Sequence, residues 1–394
     1  MLLTYILATF TIISLVLTLW QWLVATSFPL HKRSGSTPFA PSVSILKPIK
    51  GADSQTAECL RSWCAQDYAG TRQLLIGVAS EDDPACPVVR AIISEFPGLN
   101  ARLVVCPEQH GLNAKISTLV QLERLITGDI VIISDADVYA PPELLREIVQ
   151  PLKAEPVAPR PPQSSQSETT AAVGLVNCFY RLTNMSTFGM RWEAFAINAD
   201  FWSQVLQAQS LKRVDFAMGA VMALPAPVLR EIGGFAPLAD FLADDYQLGN
   251  RVARTGRLVF ISPVVVECRS HTQLWGDVWT HQTRWARTIR VSQPVPYFLS
   301  KLSNATFWPL LWVALDPGAR SIGFGAFCLA VRMAQAFYCE ARMTGRARLS
   351  SFWMAPIKDL LQLGVWVTAF TGNRITWRER NFRVQSDGKL IEAR

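Results

Sequence analysis

Charge is scarce in this chain. Only 18% of the 394 residues are Asp, Glu, Lys or Arg, half are hydrophobic (50%), and the mean hydropathy is positive at +0.19. That balance excludes a disordered tail protein and argues against an ordinary soluble enzyme. Paired cysteines are missing too. The eight cysteines, at positions 59, 64, 86, 106, 178, 268, 328 and 339, include no C-x-x-C pair and no regular spacing. A zinc ribbon and a disulfide framework are thereby excluded, and reduced, buried thiols are expected.

No charged residue occurs between Met1 and Leu30, and the stretch ends at His31, Lys32 and Arg33. About 20 apolar residues cross a bilayer core, so residues 1–30 suffice for a transmembrane anchor with some tilt. A cleaved signal peptide would carry positive charge ahead of its apolar run; that charge is missing, which favours a retained anchor. Lys32 and Arg33 should stay in the cytoplasm, and with them the domain that follows.

A second hydrophobic zone covers residues 305–372. It holds Thr306–Leu315, which is short, Ser321–Tyr338 with Arg332 at its centre, and Phe352–Thr371, interrupted by Pro356, Lys358 and Asp359. Ionisable residues inside such segments face protein or a polar cavity, so a re-entrant or interfacial piece is expected and the number of spans stays open. The tail, residues 373–394, carries Arg374, Arg378, Arg380 and Arg383 and is expected to be cytoplasmic.

Residues 38–294 read as a globular α/β domain. Val43–Leu46, Leu74–Val78, Arg102–Val105 and Asp129–Ser134 are short runs rich in Val, Ile and Leu, the pattern of strands buried on both faces. Ser54–Ala65, Pro84–Phe96 and Ala114–Ile126 read as helices between them, which predicts right-handed crossovers and a mainly parallel sheet. Such sheets bind ligands at the carboxyl ends of their strands. Residues 153–170, KAEPVAPRPPQSSQSETT, are rich in Pro, Ser and Thr and are expected to form a flexible surface loop.

Chemistry-bearing residues gather at those strand ends. The fourth strand runs into Asp135-Ala136-Asp137, two carboxylates that could hold a hard cation, Mg2+ or Mn2+, against a diphosphate. A solvated turn explains D-x-D in general but explains it poorly straight after IVIIS. The second strand ends in Glu81-Asp82-Asp83-Pro84, where Asp82 or Asp83 serves equally as a cap for the helix after Pro84 or as a ligand. Lys47 and Lys50 follow the first strand and Lys115 the third; each could neutralise phosphate or be a solvated charge.

Farther on, Asp244-Asp245-Tyr246 follows Gly233-Gly234-Phe235. The helix dipole alone accounts for acids in a first turn, and a base opposite a metal-bound donor is the alternative. His281-Gln282-Thr283-Arg284-Trp285 opens a basic, aromatic helix suited to a pyrophosphate or to a membrane interface. Gly189 to Val205, rich in Met, Phe and Trp, reads either as a lipid-facing helix or as an ordinary buried one.

In this order the anchor, LKPIKG, EDDPA, HGLNAK, SDAD, GGF with ADDY, and the RW helix with apolar segments behind it resemble the ceramide glucosyltransferase family, glycosyltransferase family 21. The resemblance extends over nearly the whole chain and includes bacterial hopanoid-associated transferases. It implies a GT-A fold with N-terminal and C-terminal transmembrane helices, a UDP-sugar donor and inversion at the anomeric carbon. By position, Asp83 matches the family's first aspartate station, near the nucleotide. Asp135 matches the second, the metal-diphosphate site, where Asp137 completes the D-x-D. Asp245 matches the third, the general base. Arg284 and Trp285 match the end of the (Q/R)-x-x-R-W motif, whose first position is His281 here. Lys47 and Lys115 fall among the nucleotide-sugar contacts.

The implied reaction transfers a hexose, glucose first of all, to a lipid hydroxyl. The expected partners are a UDP-sugar, a ceramide or hopanoid acceptor and the bilayer, with no nucleic acid, in a bacterial inner membrane. A hopanoid transferase using UDP-N-acetylglucosamine, a processive polysaccharide synthase and a catalytically silent lipid-binding membrane protein are the competing readings. The short apolar flanks count against the second of these and the intact acidic stations against the third.

Overall fold

The structure is a computed structural model that describes residues 1–35, 39–153, 171–346, 348–377 and 380–393. Apart from Lys153, the loop expected at 153–170 lies outside the described residues. The chain divides into two compact units, one of residues 31–179 and 213–269, the other of residues 1–30, 180–212 and 270–394.

The first unit is built on a sheet. Its strands are β1 (Val43–Pro48), β2 (Arg72–Val78), β3 (Asn100–Val105), β4 (Ile130–Ser134), β5 (Val138–Tyr139), β6 (Val173–Leu182, which leaves the unit after Phe179), β7 (Val221–Pro225) and β8 (Leu258–Cys268). They are arranged β3-β2-β1-β4-β7-β6-β8-β5. The four expected strands form the parallel half, with Ile45 of β1 in register with Leu74 of β2 and Ile132 of β4. Beyond β4 the pairings turn antiparallel, β4 with β7, β7 with β6, and β8 with β5.

Every residue of β1 and β4 is buried, which is why VSILKP and IVIIS show no polar alternation. β3, at the edge, is partly exposed along its length. The crossover helices Thr56–Cys64, Ala85–Glu95 and Ala114–Glu123 form where the apolar periodicity places them. All eight cysteines are free thiols, and seven are buried.

The second unit is mostly helical. It comprises Leu2–Ser27, Phe188–Leu211 with one π-helical stretch at Ala196–Phe201, Trp275–Ser292, Pro294–Leu299, Phe307–Leu315, Ala319–Thr344 and Ser350–Phe370, followed by a three-stranded antiparallel sheet. Leu2–Ser27 and Ala319–Thr344 are long and apolar enough to cross a membrane. In the first of them the buried Thr11, Ser14 and Thr18 return their hydroxyls to carbonyls three or four residues back, which satisfies those three hydroxyl protons within an apolar helix.

The ionisable residues of the C-terminal zone face one another. Asp200 and Asp359 accept hydrogen bonds from Arg332 at 2.7 and 2.8 Å, Lys358 lies against both carboxylates, and all four side chains are buried. Thr306 adds a bond of 2.6 Å to Asp359. Two cations and two anions so paired are tolerable at an apolar depth where any one alone would not be.

Residues 180–212 and 270–294 pack in this unit rather than with the sheet, a boundary different from the single span 38–294. The physical reason is an aromatic cluster in which Trp192 meets Trp275 and Trp279 at 5.2 and 5.9 Å between ring centres, with Val365 and Ala369 of the last long helix beside it. The segment from Gly189 to Val205 is accordingly a buried helix: Met190, Trp192, Phe195 and Trp202 all lie inside. The basic tail folds as well. Its strands, Arg374–Trp377, Arg380–Val384 and Leu390–Glu392, bury Ile375, Phe382, Val384 and Leu390.

Candidate active site

The carboxyl ends of β1 to β4 bring the sequence's scattered acids and lysines together. Asp135 follows directly on β4, Lys115 sits in the first turn of Ala114–Glu123, and Asp244 and Asp245 open the helix Asp244–Arg254. Lys115 Nζ lies 2.8 Å from Asp135 Oδ1 and 2.9 Å from Asp244 Oδ2. Burial acts to lower this ammonium's pKa, but Asp135 and Asp244 outweigh it and hold it above its ordinary value.

Asn113 fixes the arrangement. Its Oδ1 accepts the Ile116 N–H at 3.2 Å and so caps the helix that carries Lys115, while its Nδ2 donates to the Phe241 carbonyl at 2.8 Å, on the loop that delivers Asp244.

Gly219 leaves the space the carboxylates share. A Cβ there would lie 3.0 Å from Asp245 Oδ2 and 3.5 Å from Asp135 Oδ2, so both oxygens border one small volume. Burial, then Asp244, pushes the Asp245 carboxyl up to about 7, where it can accept a proton near neutral pH; its Oδ1 also accepts the Tyr246 N–H at 2.7 Å. Burial and Asp135 likewise push Asp137 up to about 6. Protein desolvates these acids without fully neutralising them, which is the electrostatic condition a cation would relieve.

Among the described residues no group of three or more His, Cys, Asp and Glu side chains is placed to hold a metal ion. Asp135 and Asp137 can therefore supply only part of a coordination shell. Mg2+ and Mn2+ sites completed by phosphate and water have this character, so the donor set fits a metal carried in with a nucleotide rather than a protein-only cage.

Two other expected residues are engaged by the protein itself. Lys47 is fully buried; its Nζ donates to Ser134 Oγ at 3.2 Å and to the Asp135 carbonyl at 2.7 Å, and it lies 4.8 Å from the Trp63 ring centre. Burial lowers its pKa to about 8. From there it braces the backbone of the D-x-D turn from beneath. Asp83 Oδ1 accepts the Ala85 N–H and the Gly51 N–H, both at 2.9 Å, capping the helix after Pro84 and tying it to the loop after β1. The GGF motif is turn chemistry: Gly234 has φ +70°, and a Cβ on it would fall 2.3 Å from Glu123 Oε1, the carboxylate that accepts the Phe235 N–H.

Arg284 and Trp285 belong to the other unit, on Trp275–Ser292. The Arg284 guanidinium lies 6.0 Å from the Trp377 ring centre, and Trp285 meets His281 edge-on at 4.8 Å. His281 Nδ1 in turn is 2.6 Å from Glu193 Oε1, a buried carboxylate that also accepts Gln282 Nε2 at 2.9 Å. A cavity of about 520 Å3 opens beside Arg284, lined also by Arg287 and by Arg374, Thr376 and Asn381 of the C-terminal sheet.

Sequence reasoning passed over Asp244 as a helix-dipole acid, and it missed Asn113, Gly219, Glu193 and Asp200. Asn113 carried the usable signal, an N-cap residue ahead of AKIS; the others are given meaning only by partners far along the chain.

Among curated proteins, the chain is 24% identical over 240 residues to ceramide glucosyltransferase 1 of Caenorhabditis elegans, a match covering 60% of this chain and 47% of that protein. It is 31% identical over 133 residues to the ceramide glucosyltransferase of Gibberella zeae, covering 32% and 25%. The chain thus spans about half or less of the length of these relatives. Among solved structures, the mannosyltransferase PcManGT from Pyrobaculum calidifontis, in complex with GDP-Man and Mn2+, shares the fold at a TM-score of 0.54 and 19% identity, over 94% of this chain and 98% of that one. The family model for glycosyl transferase family 21 matches residues 3–390, nearly the whole chain, and the chain belongs to that family.

Proposed function

We propose that this protein is a membrane-bound inverting glycosyltransferase that moves a hexose, glucose in the first instance, from a UDP-sugar to the primary hydroxyl of a ceramide-like lipid. The observation that carries the reading is the convergence of Asp135 and Asp245 on the space beside Gly219, with Lys115 paired to Asp135, at the carboxyl ends of a parallel half-sheet. The family membership and the ceramide glucosyltransferases among its relatives support it.

In this reading Asp245 takes the proton of the lipid hydroxyl as that oxygen bonds to the anomeric carbon, and the bond from that carbon to the diphosphate breaks on the opposite face, which inverts the centre and releases UDP. A carboxyl raised to about 7 suits this step, because it is largely ionised at mildly alkaline pH and still basic enough to accept a proton. Asp135 and Asp137 would hold Mg2+ or Mn2+, whose charge neutralises the leaving diphosphate; the PcManGT complex contains Mn2+. Lys115 keeps Asp135 and Asp244 from repelling the donor and each other. Lys47 and Asn113 are positioning residues that act through Asp135 and Asp244. The two bilayer-length helices keep the enzyme where its acceptor is, and we place the sheet unit in the cytoplasm of a bacterial cell, since Lys32 and Arg33 follow the first of those helices.

The test is transfer from radiolabelled UDP-glucose and UDP-N-acetylglucosamine to ceramide and to bacteriohopanetetrol in detergent micelles, with Mg2+ or Mn2+. Labelled glucosylceramide is the expected product. Labelled hopanoid alone would keep the chemistry and replace the acceptor; polymer, or no product together with no UDP binding, would overturn the proposal.

A further inference from the structure

The backbone carbonyls of Asp135, Asp137 and Val138 all point into protein. Besides Lys47 on Asp135, the Arg269 N–H and the Cys59 thiol donate to the Asp137 carbonyl at 2.9 and 3.4 Å, and Trp63 Nε1 donates to the Val138 carbonyl at 2.9 Å. Cys59 and Trp63 are fully buried and stand one helical turn apart on Thr56–Cys64, so they share one face of that helix. The attachment continues along the same face. Ser62 Oγ accepts the Ala140 N–H at 2.9 Å, and Gln66, just past the helix, donates to the Pro141 carbonyl at 2.9 Å and accepts the Leu145 N–H at 3.2 Å. One helix face thus grips the chain from Asp137 to Leu145, within the sheet unit.

A residue's carbonyl and side chain leave the same Cα, so anchoring the carbonyls of Asp137 and Val138 restricts where the Asp137 carboxylate can reach. The anchors are buried, and a carbonyl that moved away from its donor there would be left uncompensated, so the turn resists displacement. Stiffness of this kind discriminates among cations. Mg2+ demands near-ideal octahedral ligands at about 2.0–2.1 Å, whereas Ca2+ accepts roughly six to eight oxygens at about 2.3–2.6 Å in loose geometry. We propose that Cys59 and Trp63 are positioning residues that hold the D-x-D turn stiff and so make the site select small divalent cations over Ca2+. Both act through the backbone of Asp137 and Val138 rather than by touching the ion. The inference deepens the transferase reading and rests on its assignment of Asp135 and Asp137 as metal ligands.

The test uses the full-length protein in detergent with UDP. Mn2+ binding is read by electron paramagnetic resonance, and Mg2+ and Ca2+ binding by their competition with it. Trp63→Phe keeps an aromatic ring beside Lys47 and removes the N–H; it is expected to weaken Mn2+ and Mg2+ about fivefold and to leave Ca2+ within about twofold. Cys59→Ala should weaken the same two ions about threefold, less because the Arg269 N–H still serves the Asp137 carbonyl. Cys59→Ser, which restores a donor, should keep the wild-type affinities. If Trp63→Phe does not fold, the two Cys59 variants decide by themselves. Equal weakening of all three cations would mark a merely structural role and overturn the inference, as would unchanged affinities in Trp63→Phe and Cys59→Ala. A wild-type protein that binds no Mn2+ beside UDP would instead overturn the metal reading of the site, and this inference with it.

Discussion

Replacing Lys115 by Met keeps the reach and apolar body of the side chain and removes the ammonium 2.8 Å from Asp135 and 2.9 Å from Asp244. The Asp135 arm, with that carboxylate 39% exposed, is screened and contributes little; the Asp244 arm, with side chains 11% and 10% exposed, sets the scale. Two unit charges at about 4 Å interact by roughly 4 kcal/mol at an effective dielectric constant near 20, and breaking one partner out of a buried pair costs about 3–5 kcal/mol. We expect a loss of about 3 kcal/mol, near the bottom of that range because one arm is open to water. At about 2–4 °C per kcal/mol, that lowers the melting temperature by roughly 6–12 °C.

The assay is thermal unfolding in detergent with EDTA, at a pH above the Asp245 midpoint of about 7 so that the acids are ionised. Mn2+ should then stabilise the variant more than the wild type, because a cation at Asp135 and Asp137 takes over charge that the lysine no longer neutralises. Equal melting temperatures in EDTA, or an equal Mn2+ shift in the two proteins, would refute the argument.

Three further outcomes are expected. Activity, assayed with the metal, should fall as pH drops below about 7, because Asp245 works only as the carboxylate and a cation bound beside Asp135 pulls its midpoint under that value; Asp245→Asn should abolish transfer while UDP binding stays measurable by titration. Gly219→Ala sets a methyl 3.0 Å from Asp245 Oδ2, and should cut kcat by roughly a hundredfold through misplaced reactants with little change in melting temperature; full activity would mean that the shared space is not where reaction occurs. Arg332→Met leaves Asp200 and Asp359 with Lys358 alone and should destabilise by about 3–5 kcal/mol in chemical denaturation, with Asp200→Asn added to it restoring part of the loss; no restoration would show that the four charges do not act as one network.

How much of this was legible depended on the range of the interactions. IVIIS announced a doubly buried strand because five consecutive residues carry that signal, and the apolar run from Met1 to Leu30 announced a bilayer-length helix for the same reason. The C-terminal sheet had a local signal that went unused: Ile375, Phe382 and Val384 are the buried residues of strands whose neighbours are exposed, a period of two hidden under conspicuous arginines. Lys47 reads from its neighbours as a phosphate ligand or a solvated charge; that it is buried against Trp63 and donates to the Asp135 carbonyl is visible only in the folded chain.

The sequence by itself determined the secondary structure of the sheet's parallel half, the apolar helices and the family, because propensity, periodicity and ordered short motifs are properties of neighbouring residues. Tertiary structure alone decided that Lys115 bridges Asp135 and Asp244, that Asp200 meets Arg332, and that residues 180–212 join the helical unit. Those pairings join residues 20 to more than 100 positions apart in the chain, and their energies come from burial and charge in a shared space that exists only once the chain has folded.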